Sequence, residues 1–393
     1  MKVYLDHAAT TPCDKHVVEA MLPYFTEEFG NADSQHFYGR ETAKAIADAR
    51  KSISDLIGCH PNELYFTGSG SEADNWAIKG VALARQNKGK HIIISAIEHH
   101  AILNSAEWLE KHGFRVTKLP VDSTGRVHPE DLEKAIDDET TLVSVMYVNN
   151  EVGTIQPIKE LAKIAHAHGA LFHSDCVQAM PYIRIDVAEL GLDLMSMSGH
   201  KFYGPKGVGA LYIRNGVKPD KLICGGGQER AQRGGTSNTP AIVGMARALE
   251  AAVRDMDKNN AHMAELRDHF VERVKKEIPY VRFNGNKEYR VPSVANFSFE
   301  FVEGEGILML LDYNGIAVSS GSACSSGSLD PSHVLLAMGV PIEISHGSIR
   351  FSFGKDNTME ETDYTVDRLV ETIARLRVMS PLFNEKTGGT YNV

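Results

Sequence analysis

The sequence predicts an α/β protein with a mainly parallel central sheet, helices on both of its faces, and a second, smaller α+β unit. Three observations carry that expectation. Apolar runs of strand length alternate with helix-periodic segments through the first two thirds of the chain, the pattern of βαβ units. Some of those runs, such as His91-Ile92-Ile93-Ile94-Ser95, are apolar almost throughout, which suits strands covered on both faces. A polar stretch, Asp257-Lys258-Asn259-Asn260, then interrupts a helical pattern, and the order of elements changes beyond it. A chain of 393 residues with 42% hydrophobic content is long enough to bury the core this architecture needs.

Lys44 to Ile57 places Ile46, Ile53, Leu56 and Ile57 at helical spacing. Leu64-Tyr65-Phe66 is a short strand, His91 to Ser95 the next, and Leu142 to Val148 another. Ile158 to His168 is a helix leading into a strand at Ala170-Leu171-Phe172, and a further apolar run covers Leu192 to Met197. Pro240 to Met256 is a long helix with Ile242, Met245, Leu249, Val253 and Met256 near helical spacing, and a domain boundary is expected where it breaks. The remainder holds strands near 293–301 and 348–353 and a helix over 365–376. The polar tail after Pro381 is expected to be mobile.

Composition narrows the function. A net charge of −10 argues against non-specific binding to nucleic acid or to an anionic membrane surface. The N-terminus lacks an apolar signal region and no apolar stretch is long enough to span a bilayer, so a cytoplasmic protein is expected. Five scattered cysteines (Cys13, Cys59, Cys176, Cys224 and Cys324) without a Cys-x-x-Cys pair argue against a disulfide framework or a zinc site. His166 and His168 stand two apart on a helix, share no face, and suggest no metal site.

The chemistry gathers at strand ends. His173-Ser174-Asp175 closes one apolar run and Ser198-Gly199-His200-Lys201 closes another, so one carboxylate and one amine reach the edge where α/β sheets bind ligands. Pyridoxal phosphate chemistry needs that pair: an amine for the aldehyde and a carboxylate to keep the pyridine nitrogen protonated. Thr67-Gly68-Ser69-Gly70-Ser71-Glu72 follows a strand and opens a helix, which suits a phosphate, although a capped helix start is the commoner meaning of such a loop. His99 and Asn150 follow two other strands, where an imidazole can stack on a ring and an amide can bond its oxygen; a structural histidine and a plain turn fit equally well. Cys324 lies in a Ser/Gly-rich run from Ser319 to Ser328 that presents a thiol without bulky neighbours, or is a linker that happens to contain cysteine. Arg350, in a strand-like Ile349-Arg350-Phe351, can clamp a carboxylate or lie on a strand surface.

Taken together, Tyr4 to Pro12, Asn149 to Pro157, Ser198 to Lys201 with Gly204 to Leu211, Ser319 to Cys324 and Asp330 to Leu335 resemble the cysteine desulfurases of the NifS/IscS type, in the class V aminotransferase superfamily of fold-type I pyridoxal phosphate enzymes. The resemblance runs nearly end to end. It implies a large cofactor-binding domain over 15–256 and a small domain formed by 1–14 and 257–393, the latter with a mobile Cys324 loop. It implies that Lys201 carries pyridoxal phosphate, Asp175 pairs with its ring nitrogen and His99 stacks on the ring. Asn150 and Gln178 would reach the ring hydroxyl. Ser71, Ser198, His200 and the backbone of Gly70 would hold the phosphate, with Thr236 contributed by the neighbouring subunit of a homodimer. Arg350, with Asn150, would bind the carboxylate of L-cysteine, and Cys324 would take its sulfur as a persulfide for an acceptor such as an iron–sulfur cluster scaffold.

The chain departs from that pattern at Ala32-Asp33, at Gly68, Gly70 and Ser71 of the phosphate loop, and at Cys176. A selenocysteine lyase or another class V enzyme is the nearest alternative. A non-catalytic nucleotide-binding or scaffold protein, for which Gly225-Gly226-Gly227 can be cited, is the alternative from another class.

Overall fold

The computed structural model describes residues 1–320 and 331–383. Its strands are β1 (Val3–Tyr4), β2 (Leu64–Thr67), β3 (His91–Ser95), β4 (Arg115–Leu119), β5 (Thr140–Ser144), β6 (Leu171–Asp175), β7 (Leu194–Ser198), β8 (Gly209–Ile213), β9 (Val281–Asn284), β10 (Val294–Phe299), β11 (Ile316–Ala317) and β12 (Ser348–Ser352). Seven of them form the central sheet in the order β2-β8-β7-β6-β5-β3-β4. Pairings from β4 through to β7 are parallel, and β8 runs antiparallel to both of its neighbours. The link from Ser198 to Gly209 is shorter than the roughly dozen residues a parallel crossover needs, so β8 returns in the opposite direction.

Both faces of this sheet are covered, which is why its strands lack polar alternation. Ile93, Val143, Phe172 and Met195 enter one apolar cluster, while Ile92, Ile94, Leu142, Leu171 and Leu194 enter another on the opposite face. The first cluster continues into the second sheet, the antiparallel order β12-β10-β9, through Phe270, Phe297, Phe299, Phe351 and Phe353.

The N-terminus belongs to this second region by hydrogen bonding. Strand β1 pairs in parallel with β11, and Asp6 bridges to Ser352. The chain then crosses to the central sheet, where the Thr11 N–H donates to the His200 carbonyl at 3.0 Å. This crossing brings the carbonyls of Ala8 and Ala9 to the ends of β6 and β7.

Four expectations need correction, one being that the helix expected over 365–376 spans Met359–Met379 and is capped by Thr358. The break at Asp257-Lys258-Asn259-Asn260 is absent, and one helix runs from Thr239 to Glu277. Asp and Asn are weak helix formers, but none of the four is Gly or Pro, and each costs well under about 1 kcal/mol. Buried Met256, Met263, Leu266, Phe270 and Val274 hold the helix together across the polar stretch. The strand expected over 142–148 ends its ladder at Ser144, although the Val145 and Tyr147 N–H groups still donate to the carbonyls of His173 and Asp175. The helix expected from Lys44 begins at Phe37, capped by His36, whose Nδ1 accepts from the Gly39 N–H. Among the described residues, no helix is long and apolar enough to cross a membrane.

Phe270 is fully buried, with ring centroids of Phe351 and Phe353 at 4.6 and 5.7 Å. Phe270→Ala is expected to lower stability by about 3–5 kcal/mol, read as a shift in urea midpoint.

Candidate active site

The C-terminal ends of β2, β3, β5, β6 and β7 share one edge of the sheet. There a cavity of about 290 Å³ is lined by residues from each of the segments that follow or end those strands. It brings together Gly70, Ser71, His99, Asn150, Asp175, Gln178, Ser198, His200, Lys201 and Arg350. Thr236 is exposed and does not line this cavity of the single chain. Cys324 lies outside the described residues, as does the polar tail from residue 384 onward.

Asp175 ends β6 and is buried. Its Oδ1 accepts from the Val177 N–H at 2.9 Å. Burial pushes its carboxyl up to about 6, against the pull of that N–H and of the Lys201 charge. Lys201 closes the short helical turn after β7, and its Nζ donates to the carbonyls of Ala8 at 2.6 Å and Ala9 at 2.9 Å. The Gln178 amide donates to the same Ala8 carbonyl at 2.7 Å. His99 caps the helix His100–Lys111, its Nδ1 accepting from the Ala101 N–H at 3.1 Å. Burial, and then the Lys201 charge, lower His99 to about 4, so its ring is neutral at neutral pH.

The opposite wall is a helix start. The Ser69 hydroxyl accepts from the Glu72 N–H, and the helix opens at Gly70. Glu72 also accepts from the Gly68 N–H at 2.8 Å and pairs with Arg233, so the loop is pinned from both sides. Two glycines permit the close approach. A Cβ on Gly70 would come within 2.9 Å of Val177 and one on Gly209 within 2.5 Å of the Ser69 backbone. Ser198 and His200 face this wall, and His200 Nδ1 lies 3.1 Å from the Thr10 hydroxyl. Backbone N–H groups, hydroxyls and the positive helix end together suit a phosphate.

Arg350 is 3% exposed, so it is no strand-surface arginine. Its Nη1 donates to the Asn150 carbonyl at 2.9 Å and its Nη2 to Asp6 Oδ1 at 2.9 Å, while its buried Nε has no partner among the described residues. Ser319 bridges to Arg350 through backbone hydrogen bonds, and the Ser332 hydroxyl donates to Glu151 Oε2, one residue beyond Asn150. Burial raises the Glu151 carboxyl to about 7. Cys176 is fully buried in the apolar core and burial pushes its thiol well up, which makes it a packing residue.

Sequence reasoning missed Ala8, Ala9, Asp74, Met146 and Val177 of the lining. Asp74 had a legible signal, since it stands three residues after Ser71 on one helix and therefore on the same side. The alanine carbonyls had none, because any residue carries that group.

Glu98, behind His99, is fully buried. Its Oε1 accepts from the Ser95 hydroxyl at 2.5 Å and the Met146 N–H at 2.8 Å, and Oε2 has no partner among the described residues. Burial raises it from 4.5 to about 8, so the folded protein keeps a proton that the unfolded chain releases. Its contribution to stability is full below about pH 4.5 and is lost as pH rises toward 8. Glu98→Gln is therefore expected to gain on the wild type across that window, approaching about 1.4 kcal/mol per pH unit in urea unfolding.

Residues 3–365 match the family model for aminotransferase class-V. A protein named cysteine desulfurase IscS from Dictyoglomus turgidum is 54% identical over 384 residues, covering 98% of each chain. Among solved structures, a NifS-like protein superposes with a TM-score of 0.90 at 40% identity, over 95% of this chain and all of its own. SspA in complex with cysteine superposes with a TM-score of 0.80 at 36% identity, over 91% of this chain and all of its own.

Proposed function

Because the chain belongs to the aminotransferase class-V family and, by its full-length relatives, to the cysteine desulfurases within it, we propose that it converts L-cysteine to L-alanine with pyridoxal phosphate as cofactor. The observation that most supports this reading is that one cavity gathers a lysine amine, a buried carboxylate, a neutral imidazole, a helix start and a buried guanidinium.

The donor set fits the cofactor. The narrow helix start, which Gly70 and Gly209 keep open, suits the phosphate with Ser71, Ser198 and His200. Asp175 faces the same cavity, where a buried carboxylate gains from a cationic nitrogen. When bound, the cofactor supplies an aldehyde for amines and a ring that accepts electrons from the substrate carbon. Lys201 would provide the amine that anchors it and would move the proton between the substrate Cα and its own Nζ. His99 would cover the ring, and Gln178 and Asn150 would hold its oxygen. Arg350, whose guanidinium lines the cavity, would hold the substrate carboxylate, which gives a buried cation a further acceptor.

In the same reading, the Cys324 thiolate attacks the sulfur of the substrate. The new S–S bond forms as the C–S bond breaks, the electron pair stays with carbon, and protonation yields alanine. L-cysteine plus the Cys324 thiol thus become alanine plus a Cys324 persulfide. The terminal sulfur passes to an acceptor such as an iron–sulfur cluster scaffold. A homodimer would bring the partner's loop to the phosphate wall, and the position of Thr236 outside the cavity is compatible with that. So is a cluster of exposed aromatic rings, Phe29, Phe37 and Tyr38, with centroids 4.1–5.2 Å apart.

Alanine and sulfide in equal amounts from L-cysteine and a reducing thiol are expected; alanine without sulfide would refute the reading. Cys324→Ala should keep the cofactor's yellow colour and lose sulfur transfer, and retained turnover would remove Cys324 from the mechanism. Arg350→Ala should raise KM for L-cysteine by about ten- to a hundredfold, the loss of a charged hydrogen bond worth about 1.5–3 kcal/mol. Lys201→Ala should abolish the colour of the amine-linked cofactor, and an unchanged spectrum would exclude that role.

A further inference from the structure

One carboxyl group in the cavity has no part in the chemistry above. Asp74 lies on the helix that opens at Gly70, lines the cavity with Asp175, and is 2% exposed. Among the described residues its Oδ1 has no hydrogen-bond partner, while the Ser196 hydroxyl bonds toward the carboxyl and favours its charged form. The nearest ring nitrogen, His173 Nε2, is 3.9 Å away and directed to the Ser196 hydroxyl at 3.0 Å, while His173 Nδ1 meets Ser144 at 2.8 Å. Asp74 thus sits at the end of a buried polar chain that crosses β5, β6 and β7 without supplying it a cation.

The charges facing it come from four sides. Asp175 on β6 and Glu98 after β3 are both acids and both repel a charge on Asp74; Cys176 is a buried thiol; His173 is held neutral by burial. Lys201 acts on Asp175. Two adjacent buried carboxylates cannot both ionise cheaply. Burial, with Asp175 second, raises Asp74 well above the ordinary carboxyl range.

We propose that Asp74 is a positioning residue that keeps a proton beside Asp175, so that Asp175 alone carries the negative charge of the cluster toward the cofactor ring. This rests on the cofactor reading above. A neutral Asp74 leaves the ring nitrogen a single counter-ion and prevents the cluster from shedding charge by protonating Asp175 instead. Because the pair titrates jointly, the assignment is a choice between two microstates, with the proton on Asp74 or on Asp175.

The test separates the two on the apoprotein by infrared difference spectroscopy at pH 7.5. The protonated-carboxyl C=O band of the wild type is expected to lose intensity in Asp74→Asn and to survive in Asp175→Asn. Loss in Asp175→Asn, or no loss in Asp74→Asn, overturns the proposal. Glu98 and, in part, Glu151 also hold protons at this pH, so both variants are read in the Glu98→Gln background and the two together decide. In protein reconstituted with pyridoxal phosphate, Asp74→Asn should leave the pH midpoint of the cofactor absorbance within twofold in proton affinity. A tenfold change would mean that Asp74 carries charge in the wild type and would also overturn it. If the wild type itself takes up no pyridoxal phosphate, the cofactor reading fails, whereas the infrared result still reports the proton on Asp74.

Discussion

A carboxylate taken out of water without a partner costs several kcal/mol, and Asp175 is placed where that cost is nearly unavoidable. It ends the central strand β6, with β5 and β7 on either side and the apolar core beneath. Its relief comes from one backbone N–H and from the charge of Lys201. Lys201 in turn is held by the carbonyls of Ala8 and Ala9, which requires the N-terminal segment to cross from β11 and β12 to the central sheet. The same crossing delivers Asp6 to Arg350. The burial of one acid thus ties the two sheets together at the cavity.

The parallel sheet explains why so few residues suffice. Parallel strands leave all their C-terminal ends on one edge, and chain ends there are free of ladder constraints. Each following segment therefore contributes one or two side chains: Gly70 and Ser71 after β2, His99 after β3, Asn150 after β5, Gln178 after β6, Lys201 after β7. The antiparallel β8 contributes space instead, since Gly209 at its start lets the Ser69 backbone lie against the sheet.

Much of this was legible in the residues. Strand β3 has the expected bounds, because an apolar Ile run flanked by polar residues leaves little choice. The positions of Asp175 and Lys201 followed from the same reasoning. Strand β4, Arg115-Val116-Thr117-Lys118-Leu119, was not legible: it lies at the sheet edge, its polar side chains reach water, and its apolar pattern is weak. The helix through Asp257 was misjudged because local propensity is a weak term, and the burial of Phe270 and Val274 outweighs four polar residues. Arg350 looked like a surface residue in isolation. Its burial depends on Asp6 and Asn150, which are remote in sequence, and no local pattern encodes such a meeting.

The two bonds that flank Cys324 set a length scale. Ser319 is tied to the backbone of Arg350, and Ser332 to the carboxyl of Glu151. Cys324 stands five positions after the first tether and eight before the second. A fully extended chain advances at most about 3.6 Å per residue, so the shorter arm limits the Cys324 backbone to roughly 18 Å from Ser319. Both tethers are built into the residues that surround the proposed carboxylate clamp. In the proposed reaction, an acceptor of sulfur would have to bring its receiving atom to within a side chain's reach of that radius, which bounds the stretch of surface where such a partner would dock.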